Sequence, residues 1–257
     1  MKRRTVIVEG PLAFRMRRVD AARRSEAGIQ IMSLPQLAGR LAGGFARPAR
    51  SEDLDPAIRK ALEAGGFADL ENIRGLPGMT RSVAWTLARV WNADVALADR
   101  TEESARLRDL ATIEARVRAN LPGGVLTPRD LRDAALARLD HAPAVLGAVE
   151  LDHVAQVGPV WRPLLNALTR KVRLTWRNPG AADSAWFAGS VESDLRPARC
   201  ANEGTKQVIA RRQLAPDPVG SATRRRRFFC KIRNVTPARL IALIVEGALA
   251  VRFVSGL

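Results

Sequence analysis

A glycine turn after a short apolar strand is a common place for a chain to hold phosphate, and the segment Glu9-Gly10-Pro11-Leu12-Ala13-Phe14-Arg15, at the end of Thr5–Glu9 (TVIVE), occupies that place here. A phosphate-binding loop needs converging backbone N–H groups, a lysine for the β/γ oxygens and a Ser/Thr for magnesium. This turn has one glycine, a proline that removes a donor, and neither the lysine nor the hydroxyl. Nucleotide hydrolysis is not expected, and no cofactor or metal is assigned. Asp152 closes a second strand-like run, the position of a magnesium-binding acid, but without a phosphate loop it reads as a solvated strand-end carboxylate. The pairs Asp140-His141 and Asp152-His153 lack a third ligand at a supporting spacing, and adjacent residues on a strand point to opposite faces. Both histidines are expected at the surface or satisfied. Cys200 and Cys230 have no neighbouring histidine and are given no chemistry. No catalytic residue is assigned to this chain.

The stronger chemical signal is cationic. Arg15, Arg17, Arg18, Arg23 and Arg24 crowd a segment whose apolar residues Leu12, Met16 and Val19 fall at i, i+4 and i+7. One apolar stripe on such a helix leaves the guanidinium groups a basic exposed face suited to phosphate oxygens, or simply a solvated one. The run Arg224, Arg225, Arg226 and Arg227 is expected to serve as a second, flexible basic arm. Leu76-Pro77-Gly78-Met79-Thr80 partly resembles the hairpin of helix-hairpin-helix DNA-binding motifs. Thr80 stands where the second glycine would be, so an ordinary helix N-terminus is expected, with Trp85 and Trp91 in or beside the core.

The whole chain agrees with a polyanion as partner. Its 257 residues carry 42 Lys+Arg against 26 Asp+Glu, a formal +16, and the surplus lies before residue 51 and after residue 190. Such a surplus attracts nucleic acid through counterion release and conveys no sequence preference. Zero tyrosines and seven phenylalanines offer few stacking platforms. Two cysteines make no disulfide framework, the N-terminus has no secretory pattern, and the longest apolar stretch, 240–251, is too short to span a bilayer. A cytoplasmic protein without a membrane segment is expected.

The elements that must position these residues follow from periodicity. Strand, helix, strand, helix is predicted over residues 5–43, with Ser33 and Gln36 forming a capping box around Pro35. Two strands alternating with two helices argue for a parallel sheet. From about 50 to 140 the pattern is helical, including a helix opened by Thr127 with Pro128 at its first position. Strands return at 149–157 and 171–176, flanking a short helix at 161–168. The expectation is one α/β domain over 1–190 with a helical insertion, then a poorly patterned basic tail over 191–257 that is disordered or out of frame apart from a short helix at 238–251.

Three segments, RTVIVEGPLAFRMRRVDAARRSEAGIQIMSLPQLAGRLAGGF, ALEAGGFADLENIRGLPGMTRSVAWTLARVWNADV and VGPVWRPLLNALTRKVRLTWRNPG, taken in order, resemble the N-terminal part of AddB-type double-strand-break repair proteins of the PD-(D/E)XK nuclease family. The resemblance covers roughly residues 4–190 and rests on apolar and small residues, not on catalytic signatures. It implies a RecA-like, P-loop-NTPase-like domain with a helical insertion, an inactivated helicase part that helps hold DNA. A full-length member would continue for several hundred residues beyond Leu257, so a truncated or frame-disrupted product lacking the nuclease domain is expected. The function expected is therefore non-catalytic DNA binding in double-strand-break repair and recombination, alongside a partner helicase-nuclease subunit. The alternative is a protein-protein scaffold that docks such a subunit and touches DNA little.

Overall fold

A computed structural model describes residues 3–179 and 184–193. The chain opens with strand β1 (Arg4–Ile7), helix α1 (Pro11–Arg23), β2 (Ile29–Met32) and α2 (Leu34–Leu41). Ser33 caps α2 as its spacing predicts: its Oγ accepts from the Gln36 N–H while the Gln36 side chain accepts from the Ser33 N–H at 2.8 Å. The sheet resumes with β5 (Ala148–Asp152), helix α8 (Arg162–Thr169), β6 (Leu174–Arg177) and β7 (Ser190–Glu192). Its order is β2-β1-β5-β6-β7 and every pairing is parallel. The fold is thus α/β with a parallel five-stranded sheet, compatible with a Rossmann-like or P-loop-like architecture.

Between β2 and β5 lie β3 (Arg47–Pro48), α3 (Ser51–Glu63), α4 (Met79–Asn92), α5 (Ala105–Asn120), β4 (Val125–Leu126), α6 (Pro128–Leu136) and the single turn α7 (Ala142–Val145). The Thr127 hydroxyl caps α6 by accepting from the Asp130 N–H at 3.3 Å, with Pro128 at the first position. Gly78, at φ +83°, precedes α4, which begins as an ordinary helix, and Trp91 is buried.

Two cores result. One face of the sheet, with Ile7, Val149, Leu151, Leu174 and Trp176, packs against Leu37 and Leu41 of α2, Leu131 of α6 and Leu164, Leu165 and Leu168 of α8. The second core is made by α3, α4 and α5 around Ile58, Leu87, Leu107 and Ile113. Burying each such side chain is worth roughly 1.5–3 kcal/mol. Asp94, just past α4 at φ +57°, joins the two cores by taking Arg129 Nε at 3.0 Å and Arg132 Nη1 at 2.8 Å from α6.

Three expectations are corrected. The periodicity of the insertion predicts no strand, yet Val125–Leu126 pairs in parallel with Arg47–Pro48, a pairing too short to leave an alternating pattern. The last helix of the insertion, α6, belongs to the sheet core through Leu131 and Ala135. The domain does not end at 190, because Ser190–Glu192 forms the fifth strand, whose three residues follow no apolar run.

Candidate nucleic-acid interface

Strands alternate their side chains, so the sheet face opposite the main core carries Val6, Ile31, Glu150 and Thr175 in one row. Helix α1 crosses this face. At 100° per residue, Phe14, Arg17 and Ala21 share its inward side, and Leu12, Arg15, Met16, Val19 and Arg23 share its outward side. The exposures agree: Ala21 is buried, while Leu12, Met16 and Val19 are 70%, 58% and 43% exposed. The apolar stripe read from the sequence therefore faces solvent. The physical reason is beneath the helix, where carboxylates rather than apolar side chains face one turn of α1.

Those carboxylates claim one of the expected interface residues. Arg17 is only 10% exposed; its Nη2 lies 2.9 Å from Glu26 Oε2 and its Nε 3.6 Å from Asp152 Oδ2. Glu26 also takes Arg4 at 3.0 Å. Arg17 is thus removed from the exposed set. Arg15, Arg18, Arg23 and Arg24 remain exposed on or beside α1. Arg18 lies 4.6 Å over the Phe14 ring, and Arg24 reaches Glu26 only at 4.0 Å while 71% exposed. Arg15 and Arg23 have no carboxylate within ion-pair distance among the described residues. Arg224, Arg225, Arg226 and Arg227 lie outside the described residues, as do Cys200, Cys230 and the apolar segment 238–251.

The sheet reverses direction of growth between β1 and β5, and in open α/β sheets ligands bind beyond the C-terminal ends of the strands at this point. Here the edge is closed by its own charges. Gly10 enters α1 at φ +86°, with Pro11 at the first helical position and no side-chain cap. Asp152 is not the solvated carboxylate the sequence suggested, since it holds both Arg17 and the His153 ring, whose Nδ1 lies 2.7 Å from Oδ1. Opposite-face geometry fails here because the strand ends at Asp152 and His153 turns back at φ +53°. Asn178, at φ +50° on the end of β6, donates from Nδ2 to His153 Nε2 at 3.2 Å, so both ring nitrogens are engaged. On the neighbouring strands Arg177 pairs with Glu150 and Glu192, each at 3.3 Å. The other Asp-His pair is unrelated: Asp140 accepts from Lys171 Nζ at 2.7 Å.

The resulting surface has a neutralised strand edge beside a helix that presents arginines interleaved with apolar side chains. It can hold phosphate oxygens or an amphipathic partner. Sequence reasoning missed the Arg17–Asp152 pairing because it joins residues far apart in the chain, although the i, i+3, i+7 spacing of Phe14, Arg17 and Ala21 was available as a competing stripe. No protein-family model matches the chain, and no curated protein matches it either. Among the described residues no helix is long and apolar enough to cross a membrane.

Proposed function

We propose that this chain is a non-catalytic, helicase-like DNA-binding module working in double-strand-break repair and recombination, similar in role to the N-terminal part of AddB-type proteins. The observation that carries the reading is the set of exposed guanidinium groups of Arg15, Arg18, Arg23 and Arg24 on and beside α1. Arginine in this setting binds phosphate oxygens without reading bases. The RecA-like assignment belongs to the same proposal. It is supported by the parallel sheet and by the position of the helical insertion between β2 and β5. The loss of nucleotide chemistry is supported by the Pro11 turn and by the engagement of Asp152 with Arg17. A cytoplasmic location and a partner helicase-nuclease subunit follow from this reading. The test is fluorescence anisotropy with a labelled duplex. Replacing Arg15, Arg18 and Arg23 together by Ala should weaken binding at least tenfold with the thermal transition unchanged, and unchanged affinity would refute the reading.

One observation favours a second reading, a scaffold that docks a partner subunit: Leu12, Met16 and Val19 lie uncovered on the same outward face. On that reading Met16→Glu abolishes capture of a purified helicase subunit, while the arginine variant binds DNA as the native chain does.

A further inference from the structure

A second exposed feature lies well away from α1 in sequence. Phe45, between α2 and β3, is 96% exposed, more than any other large apolar residue described. Helix α2 ends with paired closing bonds, Gly44 N–H to the Gly39 carbonyl at 2.9 Å and Gly43 N–H to the Arg40 carbonyl at 3.3 Å. In such an ending an apolar residue just beyond the helix commonly folds back on the last turn. Here glycines at φ +113° and +82° take both positions, and Phe45 follows them into solvent.

The tip is built, not loose. A side chain on Gly39 would meet the Ala46 carbonyl at 2.7 Å, and one on Gly124 would meet the Phe45 carbonyl at 3.1 Å. Arg47 N–H donates to the Gly124 carbonyl at 2.9 Å, so the backbone bearing Phe45 is clamped between α2 and the 122–124 turn. Two cations stand on the elements that carry the tip: Arg40 on the last turn of α2, and Arg138, whose Nη1 lies 3.2 Å from where a Gly43 side chain would begin. Neither has a carboxylate partner among the described residues.

We infer that Phe45 is a stacking platform for one base of a single strand, with Arg40 and Arg138 taking the phosphates beside it; this rests on the DNA-binding reading above. A protein anchor or a membrane contact would surround the ring with further large exposed apolar side chains, and among the described residues none of these falls in the segments that build the tip, 39–47 and 122–124. A nucleotide asks for one flat apolar face and nearby positive charge, which is the set present. Stacking tolerates any base.

The probe is an oligothymidylate carrying one 2-aminopurine, compared with a duplex of equal length, using the full chain. Phe45→Ala should weaken single-strand binding about tenfold to a hundredfold and abolish 2-aminopurine quenching, with duplex binding and the thermal transition unchanged. Phe45→Trp should retain both affinity and quenching. If the native chain binds single strands and Phe45→Ala matches it, the stacking role is overturned while the DNA-binding reading stands. Equal losses on both DNA forms overturn it too. If the native chain binds neither form at low salt, the DNA-binding reading itself fails, and this inference with it.

Discussion

The Arg17 guanidinium lies between Glu26 and Asp152, 2.9 Å from one carboxylate and 3.6 Å from the other, at the strand edge where an open α/β sheet ordinarily receives its ligand. The pairing decides which side of α1 meets the sheet. It turns Leu12, Met16 and Val19 outward and leaves Asp152 committed to an internal cation.

Removing that cation should therefore act on folding. Arg17→Ala removes the cation shared by two largely covered carboxylates, leaving Glu26 with Arg4 and Asp152 with the His153 ring, and is expected to cost about 1–3 kcal/mol. Arg15→Ala, at an exposed site on the same helix, should stay within about 0.5 kcal/mol. Urea denaturation of the two variants measures the contrast, and equal midpoints would remove Arg17 from its structural role.

The outward stripe predicts the reverse of ordinary hydrophobic behaviour. Leu12→Ser and Met16→Ser should leave stability within about 0.5 kcal/mol, since both side chains are solvated in the folded chain. Leu37→Ala, in the sheet core, should cost about 2–5 kcal/mol. Thermal or urea melts check the pair, and a large loss in Met16→Ser would mean that α1 is turned the other way.

A third prediction concerns acid. Asp53, at the start of α3, accepts a bidentate bond from Arg47 at 2.5 and 2.6 Å and a backbone bond from Arg50 at 3.0 Å. The Arg47 bond above all, then that of Arg50, holds its carboxyl down at about 2. A carboxylate whose folded value lies below its unfolded one, near 3.9, stabilises the fold above the unfolded value. That contribution is lost as pH falls from about 4 through about 2. Asp53→Asn should lower stability at pH 7 and flatten its pH dependence between about 4 and 2, as read by denaturation across that range.

Gly147 offers a purely steric test. At φ +66° it enters β5 with its backbone against β1, and a side chain there would begin 2.0 Å from the Arg3 carbonyl oxygen. Gly147→Ala is expected to cost more than about 2 kcal/mol, combining backbone strain with displacement of the first strand. Circular dichroism melts check it.

What the sequence disclosed and what it hid divide along physical lines. The β1-α1-β2-α2 order, the Ser33 and Thr127 caps and the helical character of 50–140 were legible because they rest on local spacing and local hydrogen bonds. The burial side of α1 was not, since two stripes compete and distant carboxylates choose between them. The engagement of His153 was hidden for a related reason: where the strand stops is set by pairing with β1 and β6, and one left-handed residue then brings its ring onto Asp152. Short strands such as β3, β4 and β7 are defined by partners rather than by pattern. Phe45 stood in plain view after two glycines, but only its exposure gives it meaning.

The central claim, that exposed arginines of α1 meet a polyanion, is tested most directly by the salt dependence of duplex binding. The logarithm of the association constant should fall linearly with the logarithm of salt concentration. Replacing Arg15, Arg18 and Arg23 by Ala should reduce the slope by up to roughly 2.7, about 0.9 for each phosphate no longer neutralised. A native slope near zero, or a slope that the triple replacement leaves unchanged, would contradict it.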